Sequence, residues 1–247
     1  KAGIKGAITY GRNSYDFEEG SLIFLQPGQV LKVESSEEME GADGWILLFH
    51  PDLISKSELG RNISTYNFFS YDVNEALHLS DEEKETVTDL VKKIEKEFSS
   101  NIDKHSQKLI ISNIELLLDY CTRYYDRQFY TRTNLNQDYI SVFESHLKEY
   151  YSDEKQLKFG VPSVAYFGEE MCMSPYYLSD LLKKETGMGA NDHIHQFVVN
   201  KAKNRLLSTN DPISKIAFDL GFEYQQHFNK VFKKGVGVSP SEYRKVG

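Results

Sequence analysis

The stretch ISKIAFDLGFEYQQHFNKVFKKGVG (Ile213–Gly237) decides the fold, because its pattern stands 49 to 50 residues earlier as VAYFGEEMCMSPYYLSDLLKKETG (Val164–Gly187). In the distal copy Ala217 and Gly221 are four apart. Phe222 follows, and beyond a turn come Phe228, Phe232, Lys233, Lys234 and Gly237. In the proximal copy Gly168 and Cys172 are four apart, followed by Met173 and then Leu178, Leu182, Lys183, Lys184 and Gly187. A small residue where two helices cross, a sharp turn and a second helix anchored by large apolar residues at i and i+4 are the requirements of a helix-turn-helix. A helical hairpin with no nucleic-acid role satisfies the same spacing.

The segment between the copies reads as a bridging helix. Asn191 is placed to cap it with Asp192 in the first turn, and Ile194, Phe197, Val198, Ala202 and Leu206 form one face. Asp192 to Ser208 spans 17 residues, about 26 Å at the helical rise. With the width of the units added, that spacer suits two helices about 34 Å apart, one turn of duplex DNA. Ser239-Pro240-Ser241-Glu242 reads as a cap with Pro at N1 opening a final short helix.

Outward from this repeat, 247 residues and 28.5 kDa fit two domains. A composition of 40% hydrophobic and 27% charged residues excludes collagen, low-complexity polymers and wholesale disorder. No apolar run approaches the roughly 18 to 20 residues of a membrane-spanning helix, so membrane insertion is excluded. The chain starts at Lys1 without a secretory apolar segment in its first twenty residues, so something was trimmed or the start is not native. Cys121 and Cys172 lie far apart with no metal-ligand spacing, which suggests neither a zinc site nor a disulfide framework. A reducing cytoplasm fits, with association to the nucleoid when DNA is bound.

The net charge of −8 hides an asymmetry. Residues 1 to 149 hold 16 basic and 26 acidic side chains, residues 160 to 200 hold 2 and 5, and residues 201 to 247 hold 9 and 4. The last segment, at net +5, is where a polyanion would be met.

From Lys1 to about Tyr71, short apolar runs alternate with turns: Ala7–Tyr10, Leu22–Leu25, Pro27-Gly28, Val30–Val33, Gly41 to Gly44 and Trp45–Phe49. This spacing predicts a β-sandwich or barrel. Ser80-Asp81-Glu82-Glu83 is a capping box that opens a helix with Val87, Leu90, Val91, Ile94 and Phe98 on its apolar stripe. A second helix carries Ile110, Ile114, Leu117, Leu118, Cys121 and Tyr125, while Leu109, Ile111 and Leu116 widen its apolar surface. Such breadth suits packing on a second copy through Ile110, Ile114, Leu117 and Cys121; burial within its own domain fits as well. DRQFYTRTNLNQD (Asp126–Asp138) reads as a polar linker, helical signals resume at Tyr139–Tyr151, and SDEKQLKFGVP follows as a polar loop. The expected class is α+β in two domains: 1–79 a β domain, 80–130 a helical dimerisation segment, 131–152 a linker with its helix, and 153–247 all-α.

SPYYLSDLLKKETG (Ser174–Gly187), AKNRLL (Ala202–Leu207), ISKIAFDLGF (Ile213–Phe222) and HFNKVFKKGVGVSPSEYR (His227–Arg244) resemble the AraC/XylS family of bacterial transcription regulators. The match runs from about Pro162 to Arg244, and the long IA..LGF.....F...FK...G.SP..YR pattern is specific. The first half is similar to that family's cupin-like sensory domain in SLIFLQPGQVLKVES (Ser21–Ser35) and GWILLFHPDLI (Gly44–Ile54). The resemblance implies a sequence-specific DNA-binding regulator with two helix-turn-helix units joined by a bridging helix. It further implies double-stranded DNA, a second copy of the chain, a small-molecule effector and RNA polymerase as partners.

In that family the second helix of each unit enters the major groove. This brings Glu223, Tyr224, Gln225, Gln226, His227, Lys230 and Lys234 to the DNA side in the distal copy, and Pro175, Tyr176, Ser179, Asp180 and Lys183 in the proximal one. Gln pairs bidentately with adenine, and Lys reaches guanine or phosphate. Asp180 stands where relatives often carry a basic residue, Cys172 replaces the usual turn glycine, and Lys230 occupies a position that is commonly Arg.

An effector pocket lined by Tyr10, Phe24, Trp45 and Phe49 is one reading of the N-terminal aromatics; plain core is the other. A cupin enzyme, or a metabolite-binding module with an inert helical half, is the rival function. Catalytic metal in a cupin requires a His-x-His pair with a third His. His50, His78, His105 and His146 are never two apart, and His193-x-His195 lies on the bridging helix, where i and i+2 point to different faces. We therefore expect no catalytic residues, no metal and no cofactor.

Overall fold

The computed structural model describes residues 7–10, 13–16, 20–29, 32–33, 44–100, 103–131 and 133–246. The chain divides into two units, 1–132 and 133–247.

In the first unit the described strands are short. β1 (Ala7–Tyr10) pairs antiparallel with β2 (Asn13–Asp16), and β3 (Ser21–Leu22), β4 (Lys32–Val33) and β5 (Leu77–His78) complete two small sheets, β2-β1-β4 and β3-β5. Pro27-Gly28 forms the expected turn, with Gly28 at φ 85° and the Gln29 N–H donating to the Gln26 carbonyl. The described residues form no closed barrel, so the expectation of one is corrected over them. Residues 44–50 carry no strand, and strand character predicted to Tyr71 gives way to α1 (Pro51–Ile54), α2 (Glu58–Asn62) and three 3-10 turns between Ile63 and Glu75. The His50 and Ser57 side chains accept from amides of the following turn, so local capping starts helices where alternation alone suggested strands. Val30 and residues 41–43 lie outside the described residues.

Ser80 and Glu83 close the capping box of α3 (Asp81–Ser99), which buries Val87, Leu90 and Ile94 against α4 (Ser106–Thr131). Phe98, placed on that stripe from sequence, is 69% exposed near the helix end. Phe24 is half-buried in a cluster with Phe68 (centroids 4.4 Å) and Tyr125 (6.3 Å).

The linker read over Asp126–Asp138 is helical instead: α4 runs to Thr131, and α5 (Thr133–Ser152) begins two residues later. Two of its polar residues, Arg127 and Gln128, are paired inside the first unit. Arg127 donates to Glu83 (2.7 and 3.0 Å) and to the His78 carbonyl, and Gln128 accepts from the His78 amide (2.8 Å) and donates to the Ala76 carbonyl. Their polarity therefore ties α4 to β5 rather than marking a solvated connection. Residues 133–152 are not a linker either, since Phe143, Leu147, Tyr150 and Tyr151 are buried in the core of the second unit.

That core is wrapped by α6 (Gln156–Phe159), which interrupts the expected loop, α7 (Val164–Met171), α8 (Pro175–Thr186), α9 (Ala190–Ser208), α10 (Ile213–Asp219), α11 (Gln225–Val236) and α12 (Pro240–Val246). The bridging helix α9 buries Ile194, Val198, Ala202 and Leu206 as expected. Its cap is Gly189 and not Asn191, because the chain turns helical at Ala190, directly after Gly189, and leaves Asn191 inside the first turn.

Candidate nucleic-acid interface

The two turns are built alike. In the proximal copy Cys172 adopts the left-handed conformation (φ 54°, ψ 41°), and the Met173 N–H donates to the Gly168 carbonyl at 2.9 Å. In the distal copy Gly221 stands at φ 94°, and the Phe222 N–H donates to the Ala217 carbonyl at 3.0 Å. A Cβ on Gly168 would lie 2.6 Å from the Met173 carbonyl oxygen, so this turn admits only glycine there.

After each turn comes a helix of 12 residues, α8 and α11, ending on a left-handed glycine, Gly187 or Gly237. Each carries two lysines in its last turn, favoured by the negative end of the helix dipole. The Ser174 side chain caps α8 by accepting from the Tyr177 amide at 3.2 Å.

On α11 the side chains of Phe228, Val231 and Phe232 are buried, leaving Gln226, His227, Lys230, Lys233 and Lys234 exposed. Gln225 is half-buried at its start, and Glu223 and Tyr224 are exposed just before it. Lys234 lies 3.9 Å from Asp192. On α8 the buried residues are Tyr177, Leu178, Leu181 and Leu182; Pro175, Tyr176, Lys183 and Lys184 are exposed, and Asp180 is half-buried. Ser179, placed on the DNA side by the resemblance, has a different use: its Oγ accepts from the Ala190 amide at 3.3 Å. Because the cap Gly189 has no side chain, Ser179 satisfies one of the orphan amides that open the bridging helix.

Polar ties hold the distal unit in place. Arg205 on α9 donates to Asp219 (2.6 Å) and Asp211 (3.2 Å), and Arg244 on α12 donates to the carbonyls of Leu206 and Asp211. The Lys215 ammonium beside Asp211, with Arg205 adding to it, holds that carboxyl below the usual carboxylate range. Tyr150 and Tyr151 on α5 donate to the carbonyls of Gly160 and Leu220, and the Val161 N–H donates to the Gly221 carbonyl at 3.0 Å. Arg205 and Arg244 stand in the sequence only as members of AKNRLL and of the closing YR, and their partners come from α10, its preceding turn and the end of α9. Lys184 and Lys233 likewise stand there only as repeat positions, though both are exposed beside the residues expected to meet DNA.

The remaining expected sites come apart. Phe24 is in the aromatic cluster, Trp45 is 36% exposed, Phe49 is half-buried, and the side chain of Tyr10 lies outside what is described. Ile114, Leu117 and Cys121 are buried within their own unit, where burial lifts the Cys121 thiol to about 12. That corrects the dimerisation face, of which Ile110 alone is half-buried: among the described side chains of α4 the large apolar groups left exposed are Leu109 (48%) and Leu116 (45%). Among the described residues no group of His, Cys, Asp and Glu is arranged to hold a metal ion, and no helix is long and apolar enough to cross a membrane.

Residues 167–246 match the family model described as "Helix-turn-helix domain". The arabinose operon regulatory protein of Escherichia coli is 35% identical over 97 residues, covering 39% of this chain and 32% of that protein. The uncharacterized HTH-type transcriptional regulator YisR of Bacillus subtilis is 30% identical over 101 residues, 41% of this chain and 33% of its own length. Among solved structures, the C-terminal domain of AraT, a response regulator from Geobacillus stearothermophilus, shares 32% identity over 41% of this chain and 84% of that chain, with a TM-score of 0.35. The chain thus carries a helix-turn-helix domain over residues 167–246, and it spans about a third of the length of the first curated relatives it matches.

Proposed function

We propose that this chain is a sequence-specific DNA-binding transcription regulator. The observation that carries the reading is the turn built twice with the same hydrogen bond, each time delivering a 12-residue helix whose outer face is polar. In α11 that face runs through Gln226, Lys230 and Lys233, spaced i, i+4 and i+7, so amide and ammonium donors meet one groove together. The first unit serves as the regulatory module: it takes a small-molecule effector and brings two copies together through the exposed α4 residues Leu109 and Leu116. The regulator acts in the cytoplasm on nucleoid DNA and passes its effect to RNA polymerase.

The test is binding of the full chain to its own upstream DNA against random duplex, across a salt series. Preferential retention that weakens linearly in log salt is expected. The double variant Gln225→Ala, Gln226→Ala should lose about 1 to 3 kcal/mol for each base contact removed and relax preference at those positions. Equal affinity for both duplexes would overturn the reading.

A further inference from the structure

We infer that the two helix-turn-helix units read DNA unequally: α11 supplies sequence recognition, while α8 adds little base discrimination. The inference rests on the DNA-binding reading and names the kind of site this chain prefers, a single information-rich block with a weak second half.

The two helices are equally long and start 50 residues apart, so each residue of one has a counterpart 50 residues away in the other. On the outer stripe at i, i+4 and i+7, α11 offers Gln226, Lys230 and Lys233, whereas α8 offers Tyr176, Asp180 and Lys183. The first stripe carries two positive charges and an amide able to donate and accept. In the second, the carboxylate offsets the one ammonium, and the Tyr176 phenol replaces the bidentate amide. His227 is exposed, but its counterpart Tyr177 is 6% exposed and packs in the core, which withdraws another position from the groove. Ser179 is committed to the Ala190 amide, so a third α8 position is used inside the protein.

The surroundings point the same way. Residues 164–187 hold four acidic and two basic side chains, with Glu169 and Glu170 exposed on α7; residues 213–237 hold two acidic and four basic ones. One unit is net −2 and the other net +2, and phosphate approach favours the second.

Selection of the full chain against a random duplex pool tests this directly. One strongly enriched block is expected, with a weak block about 10 base pairs away. Lys230→Ala should lower affinity for the enriched site about tenfold or more. Asp180→Lys should tighten binding and steepen the salt dependence by about one unit of slope without changing the enriched bases. Asp180→Asn, which keeps the shape, should tighten binding more modestly. Two blocks of equal strength would overturn the inference while leaving DNA recognition standing. So would an Asp180→Asn variant that loses preference at a single G·C pair, because the carboxylate would then be reading cytosine. A pool with no enrichment at all would overturn the DNA-binding reading and this inference with it.

Discussion

Cys172 and Gly221 occupy the same position in two copies of one turn, both with positive φ (54° and 94°), yet only one of them is a glycine. A side chain in the left-handed region costs roughly 1 to 2 kcal/mol, and the Cys172 side chain is exposed. Replacing Cys172 with Gly should therefore raise stability by about 1 kcal/mol in urea unfolding. At Gly221 a Cβ would stand 2.7 Å from the Gly160 carbonyl carbon and 2.8 Å from the Val161 nitrogen. Gly221→Ala should lower stability by about 2 to 4 kcal/mol. Equal responses at the two positions would contradict the asymmetry.

Ser179→Ala removes the acceptor for the Ala190 amide at the start of α9. Loss of about 1 kcal/mol of stability is expected, with base preference unchanged. A variant of full stability but altered base preference would return Ser179 to the DNA side.

A fragment of residues 133–247 should unfold cooperatively and at higher urea than one of residues 153–247, because the shorter piece lacks the buried side chains of Phe143, Leu147, Tyr150 and Tyr151. The difference should reach several kcal/mol, since deleting even one large core side chain costs about 3 to 5. Matching midpoints would show that α5 adds nothing to the domain.

Stability of the second unit should fall as pH drops below about 6.5, the ordinary histidine value. Burial holds both His193 and His195 below that value, His193 against Phe143 with Glu144 and Asp192 nearby, and His195 near Asp192, Lys234 and His227. The unfolded chain then takes up protons first as pH falls through 6.5, which draws the equilibrium toward it; above 6.5 both states are neutral and the contribution is complete. Urea midpoints from pH 7.5 to 5.5 should slope downward, and the slope should flatten in a His193→Gln, His195→Gln variant.

Leu116→Glu places a charge on the exposed apolar face of α4 and should shift a dimer toward monomer in sedimentation at tens of micromolar. Cys121→Ser lies in the interior, fully buried, and should lower stability rather than change the association state.

The amino-acid sequence by itself determined the helical half. The repeat at 49 to 50 residues, the apolar pairs Leu178–Leu182 and Phe228–Phe232, and the glycine stops all act within one or two helical turns, where spacing dictates which face is buried. Ser80–Glu83 and Ser239–Glu242 were legible for the same reason, since a capping box closes over three residues. Only the tertiary structure decided what depends on partners distant in the chain. Arg127 and Gln128 looked like a solvated linker until Glu83, His78 and Ala76 met them across 44 to 52 residues. Ser179 looked like a base reader until the bridging helix brought Ala190 to its hydroxyl, and Ile114, Leu117 and Cys121 looked like an interface until α3 packed beside their helix. An apolar stripe states that a face will be buried, and a polar side chain that it will be bonded; which surface and which partner do so is settled by packing between elements, which residue spacing does not encode.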